Sequence, residues 1–150
     1  MNIILMSGIS GAGKDTYIRE RFKNPIICSA DAFFETDEGY SFNPSQLPAA
    51  HGACLRKFIE ASQLAWDLNS DEHLIVNNTN LSSEELAPYV AIASAYGHPI
   101  ELVTVHCQPH IAAARSLHVN AIQVLKGMHD RLMARKLPPF WNMLRTEVNA

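Results

Sequence analysis

One nine-residue segment sets the terms for the rest of this chain. Gly8-Ile9-Ser10-Gly11-Ala12-Gly13-Lys14-Asp15-Thr16 follows an apolar run and reads G-x-x-x-x-G-K. Glycines at these spacings let backbone N–H groups turn inward around the oxygens of a phosphate. A helix opening at the lysine adds its partial positive end. Lys14 adds a full charge suited to β- and γ-phosphates. The segment therefore predicts a strand, a phosphate loop and a helix in succession, with Gly8, Ser10, Gly11, Ala12, Gly13, Lys14, Asp15 and Thr16 as nucleotide-binding residues. Asp15 stands where a Ser or Thr usually helps to hold Mg²⁺. Three readings are open: Asp15 coordinates the ion, Thr16 or water replaces the hydroxyl, or Asp15 only favours the helix dipole.

The rest of the chain fits an α/β domain built around that loop. Runs at 2–7, 25–29, 73–78 and 100–106 are short and nearly all apolar, as suits strands buried on both faces of a parallel sheet. Between them, residues 14–22 and 48–68 read as helices. The longer one places Cys54, Leu55, Phe58, Ala61, Ala65 and Leu68 on one face. Ser82 and Glu85 form a capping box opening a third helix to about Tyr96, and Gly97 and Pro99 end it. Past His106 the pattern predicts helices and no strand, ending at Pro138-Pro139. The polar stretch 35–46 is the expected mobile loop. The whole reads as one domain, 1–150: a three-layer phosphate-loop fold with about four parallel strands and a helical lid over about 107–137.

Composition excludes several classes. No apolar run is long enough to span a bilayer, and the amino-terminus lacks the basic region of a signal peptide. Cys28, Cys54 and Cys107 are odd in number and widely spaced, so they read as reduced thiols of a cytoplasmic protein. The seven His show no zinc spacing. A net charge of −3 excludes a histone-like nucleic-acid binder. Within that total, residues 109–150 are basic: Arg115, Lys126, Arg131, Arg135, Lys136 and Arg145 face only Asp130 and Glu147. Such a run is either a solvated helical face or an element that meets phosphate.

Asp31 follows the second strand, at the sheet edge where ligands of open α/β folds bind. A carboxylate there can take the proton of an attacking hydroxyl, or it can simply cap a loop. Phe33 and Phe34 come next, as stacking surface or as core. Trp66 and Trp141 read as packing residues.

Taken in order, Gly8–Thr16, Ser29-Ala30-Asp31-Ala32-Phe33-Phe34, Tyr40–Phe42, Ala50-His51, Asn77-Asn78-Thr79-Asn80-Leu81, Pro88-Tyr89 and Leu137-Pro138-Pro139-Phe140-Trp141 resemble the polynucleotide-kinase-like branch of P-loop kinases. That branch includes phage 5′-hydroxyl polynucleotide kinases and, among its relatives, phage kinases of 5-hydroxymethyluracil in DNA. The resemblance implies that Lys14 binds phosphates and Asp31 is the general base. It also implies that Asn78, Thr79 and Asn80 line the acceptor site and that Arg115 is a lid arginine on the ATP phosphates. His118 matches a motif histidine, and Arg131 falls where a second lid arginine is common.

Departures from the family pattern lie on the acceptor side. Asn77 and Asn78 replace acids, Ala32 replaces a frequent Asp, and Phe34 replaces an arginine that grips a terminal phosphate. A hydroxymethyl group on a flipped base would need no such arginine, and Phe33, Phe34, Asn78 and Asn80 could read it. The expectation is an ATP- and Mg²⁺-dependent kinase, with Lys14, Asp31 and Arg115 catalytic. Its acceptor is a hydroxyl on nucleic acid, DNA before RNA: a 5′-OH end or the hydroxymethyl of 5-hydroxymethyluracil. The alternatives are a kinase of a small nucleoside or metabolite, and a non-catalytic nucleotide-binding switch. A phage-encoded chain would act in the host cytoplasm.

Overall fold

The computed structural model describes residues 1–68, 72–115 and 121–150, and for 66–68 the backbone only. The expected helical face at Leu68, the packing of Trp66 and the motif position of His118 lie outside the described side chains.

Five parallel strands form the main sheet, in the order β2-β5-β1-β6-β7. They are β1 (Asn2–Ser7), β2 (Ile26–Cys28), β5 (His73–Asn77), β6 (Ile100–His106) and β7 (Leu144–Asn149). Two short strands, β3 (Glu35–Thr36) and β4 (Gly39–Tyr40), pair as a separate antiparallel hairpin. The helices are α1 (Lys14–Arg21), α2 (Leu47–Leu68), α3 (Ser83–Ala95), α4 (Pro109–Arg115) and α5 (Ile122–Ala134). None is long and apolar enough to cross a membrane.

β1 is central because its side chains are wanted on both faces. Ile3 and Leu5 face Cys54 and Phe58 of α2 and Leu86, Tyr89, Val90 and Ala93 of α3. Ile4 and Met6 face Ile18 of α1, Ala112 of α4 and Leu125 and Leu132 of α5. Alternation across the pleat thus builds two cores from one strand. The result is three layers, helix–sheet–helix, as the sequence predicts. Ser82 caps α3 by accepting from the Glu85 N–H at 3.3 Å, while Glu85 Oε2 accepts from the Leu81 N–H at 2.6 Å. Gly97, at φ 71°, ends that helix in the left-handed conformation.

Two expectations need correction. The sheet has five strands, because β7 comes after the prolines where the sequence shows no strand. β7 is an edge strand, and only Leu144 and Val148 in it are apolar. It is held by its ladder to β6, by Thr146 Oγ1 donating to Glu101 Oε2 at 2.7 Å, and by His106 bonded to Glu147 at 2.5 Å. The stretch 35–46, expected as a loop, carries secondary structure. It holds the β3–β4 hairpin and a 3₁₀ turn at Pro44–Gln46, capped by Asn43.

Candidate active site

The carboxyl ends of β1, β2 and β5 bring the predicted residues to one edge of the sheet. Gly8–Gly13 leaves β1 and wraps into α1, and the loop's glycines answer to packing as well as to phosphate. A Cβ on Gly11 (φ 80°) would lie 2.4 Å from the Ala112 carbonyl oxygen of α4. One on Gly8 (φ 152°) would lie 2.7 Å from that of Val105 at the end of β6. The loop is therefore clamped between β6 and α4, and only residues without a Cβ allow the approach. The Gly8 N–H donates to the Thr79 carbonyl at 2.9 Å, which ties the loop to the chain after β5.

Lys14 Nζ lies over the loop and donates to the carbonyls of Gly8 and Ile9 at 2.8 and 2.9 Å. Burial pushes its pKa down to about 8, against the opposing pull of Asp15 and Asp31. Two carboxylates therefore lie within electrostatic reach of the loop lysine. Asp15 is exposed and its Oδ1 accepts from Asn77 Nδ2 at 2.6 Å. Thr16 is exposed beside it, accepting a long bond from Arg19 at 3.5 Å.

Asp31 opens a 3₁₀ turn, Asp31–Phe34, just past β2. Its side chain is exposed, and Tyr40 Oη of β4 donates to its Oδ1 at 3.4 Å. Burial and the neighbouring Asp31 carboxylate raise the Tyr40 pKa, so the phenol keeps its proton and remains a donor. Phe33 is 40% exposed, Tyr40 38% and Phe42 51%. The buried ring of Phe34 meets all three edge-on, with centroids 5.1–6.2 Å away. The hairpin and the 3₁₀ turn thus present an aromatic surface next to Asp31.

Three expected acceptor contacts are turned inward instead. Phe34 is 2% exposed and packs on Ala30, Ala50 and Leu47. Asn78 Oδ1 accepts from the Ala30 N–H at 2.9 Å, and its Nδ2 points to Cys54 Sγ at 3.5 Å. Asn80 is buried at φ 46°, with Nδ2 donating to the Met6 carbonyl at 2.7 Å. An Asn in a sharp turn next to a strand end finds backbone partners more cheaply than it stays solvated. Asn78 thereby fixes the start of the turn that carries Asp31, while Thr79, between them, is half-buried.

Arg115, at the end of α4, reaches the loop. Its Nη2 lies 3.4 Å from the Ala12 carbonyl and 2.9 Å from Cys107 Sγ. Arg131 pairs with Glu85 at 2.9 Å, away from the loop. The sequence does not single out Arg135, yet among the described residues it bonds to three others at the sheet edge. Its Nη1 donates to Ser7 Oγ and the Asn80 carbonyl at 2.6 and 2.9 Å, and its Nη2 to Thr104 Oγ1 at 3.1 Å. One guanidinium thus ties the carboxyl ends of β1 and β6 to the turn after β5. The three cysteines are buried and unpaired, and burial pushes the Cys28 thiol up to about 12.

The profile of a family described as an AAA domain (AAA_33) matches residues 3–122, most of the chain. NEDD4-binding protein 2 of Homo sapiens is 29% identical over 101 residues. That match takes in 65% of this chain and only 5% of the much longer human protein. Among solved structures, Chaetomium thermophilum Kti12 in complex with ADP-AlF3 superposes with a TM-score of 0.62 at 13% identity, covering 98% of this chain and 88% of that one. A chain of a Pnkp1/Rnl/Hen1 complex gives 0.59 at 20% identity, over 80% of this chain and 40% of that one. The sheet order, the clamped glycine loop and the profile match agree: the chain belongs to this AAA domain family and has a P-loop kinase-like fold, one that implies nucleotide binding.

Proposed function

We propose that the protein is an ATP-dependent kinase that phosphorylates a hydroxyl of a nucleic acid. The observation that carries this reading is the placement of Asp31. Its carboxylate is exposed at the sheet edge, within electrostatic reach of Lys14, and stands beside the aromatic surface of Phe33, Tyr40 and Phe42. The resemblance to polynucleotide-kinase-like enzymes supports the same assignment.

In this mechanism the loop N–H groups and Lys14 cradle the β- and γ-phosphates, with the lysine exchanging the Gly8 and Ile9 carbonyls for phosphate oxygens. Asp31 accepts the proton as the acceptor oxygen attacks the γ-phosphorus. The bond to the β-phosphate oxygen breaks, and ADP leaves with that electron pair. Arg115, already against the Ala12 carbonyl of the loop, adds charge to the transferring group. Tyr40 holds the Asp31 carboxylate in place. Asp15, with Thr16 beside it, suits Mg²⁺, a hard cation that takes one or two carboxylates and leaves the rest to phosphates and water. The buried, unpartnered Asn77 Oδ1 next to Asp15 is a further oxygen that fits the ion. When bound, Mg²⁺ would neutralise negative charge on the β- and γ-phosphates.

The acceptor is either a 5′-terminal hydroxyl or the hydroxymethyl of 5-hydroxymethyluracil in DNA. With Phe34 buried and no arginine in its place, recognition falls to stacking on Phe33, Tyr40 and Phe42, worth about 1–3 kcal/mol per base. The test is transfer of label from γ-labelled ATP to a panel: 5′-hydroxyl DNA, 5′-hydroxyl RNA, end-blocked DNA containing 5-hydroxymethyluracil, and free nucleosides. Label in a polynucleotide is expected. Label only in free nucleosides, or hydrolysis without a labelled acceptor, would sink the reading. Lys14→Ala and Asp31→Asn are each expected to lower kcat by about 10²-fold or more. A fully active Asp31→Asn enzyme would remove Asp31 from the role of base.

A further inference from the structure

In P-loop proteins the hydroxyl after the lysine and an acid at a neighbouring strand end share the metal. Here each position carries the other's charge. Asp15 follows Lys14, and the neutral Asn77 ends β5. The two side chains meet across 62 residues, Asn77 Nδ2 donating to Asp15 Oδ1 at 2.6 Å. Asn77 Oδ1 is buried without a hydrogen-bond partner. A buried acceptor left unmade is costly, and a hard cation or one of its waters would satisfy it. Asn78 does not compete for the role, since both its polar atoms are engaged inward.

We propose that the acidic and neutral partners of the metal subsite have exchanged places. Asp15 is the carboxylate that receives the divalent cation accompanying the nucleotide, and Asn77 positions it. This rests on nucleotide binding at the Lys14 loop and goes beyond it in saying where the charge sits and how that charge couples the metal to the nucleotide. The exchange keeps the pair's charge at one negative unit but moves it onto the phosphate loop itself. Asp15 already bears on the Lys14 ammonium, so it also bears on the phosphates that the lysine holds. Anion faces anion until a cation lies between them. Nucleotide and divalent cation therefore strengthen each other's binding, reciprocally. Among the described residues no group of three His, Cys, Asp or Glu is placed to hold a metal.

The test is the equilibrium affinity of a non-hydrolysable ATP analogue, measured by calorimetry with excess Mg²⁺ and with a chelator. Wild-type protein is expected to bind at least about tenfold tighter with Mg²⁺, the scale of one close charge pair at a surface. Asp15→Asn should bind the metal-free analogue more tightly than wild type and lose most of the Mg²⁺ enhancement. The double variant Asp15→Ser with Asn77→Asp, which restores the usual arrangement, should regain it. Asp15 is exposed and Asn77 half-buried, and unchanged unfolding midpoints would show that the fold is intact. Equal effects of Asp15→Asn with and without Mg²⁺, or no recovery in the double variant, would overturn the exchange while leaving nucleotide binding in place. Absence of analogue binding by wild type under both conditions would overturn the kinase reading and this inference with it.

Discussion

Lys14 shows how one residue's surroundings make a testable chemical statement. In the free protein burial holds its pKa at about 8, below the ordinary value of 10.5. A folded value below the unfolded one means that the charged lysine costs stability at low pH, a cost relieved as pH rises through 8 toward 10.5. Phosphate oxygens reverse the balance and pull the pKa back up. Nucleotide binding between about pH 8 and 9 should therefore take up part of a proton, and affinity should fall as pH rises past 8. Calorimetry in buffers of different ionisation enthalpy measures the uptake. A binding enthalpy independent of buffer at pH 8.5 would contradict it. The sequence places Lys14 at phosphate but says nothing of this shift, which comes from the burial that the folded chain imposes on the ammonium.

At the scale of elements, the basic carboxyl-terminal stretch divides by what its arginines touch. Arg115 of α4 approaches the phosphate loop, and Arg131 of α5 holds the start of α3 through Glu85. Arg135, just past α5, fastens β1, β6 and the turn after β5. Burial disfavours its charge, with Glu147 opposing, but three neutral acceptors compensate for lost water. Arg135→Ala leaves the Ser7 and Thr104 hydroxyls and the Asn80 carbonyl without it, a loss expected to cost about 2–3 kcal/mol. Arg135→Lys should recover only part, because an ammonium lacks the planar fork. Urea unfolding measures both. A change under about 0.5 kcal/mol, the size of an ordinary surface substitution, would show the contacts to be idle. The charge run alone admits a solvated face or a phosphate-binding element; what these arginines do instead is mostly to hold the chain to itself.

For the whole molecule, that use of charge limits how a polynucleotide can be held. The net charge is −3, and Arg115, Arg131, Arg135 and Arg145 all make internal bonds. The surface beside Asp31 is aromatic rather than cationic. Few phosphates are therefore neutralised on binding. The logarithm of acceptor affinity against that of salt concentration should slope no more steeply than about −2, corresponding to two or three contacts on a single strand. Fluorescence anisotropy with a labelled single-stranded acceptor across a salt series measures this. A slope near −5 would reveal a cationic track that the fold does not show.

Features that depend on local chemistry are legible in the order of residues alone. The glycine loop, four of the five main strands, the Ser82 cap and the end of α3 at Gly97 follow from periodicity, backbone freedom and capping, which operate within a few residues. The remaining features come from contacts between distant parts of the chain. β7 carries little apolar pattern because an edge strand is held by its neighbour's backbone. Phe34, Asn78 and Asn80 face inward because partners as much as 74 residues away receive them. Asp15 meets Asn77, and Arg135 meets three elements, only once the chain has closed. Side-chain type limits what a residue can bond to, but distance selects the bond. Distances between strand ends exist only in the folded molecule.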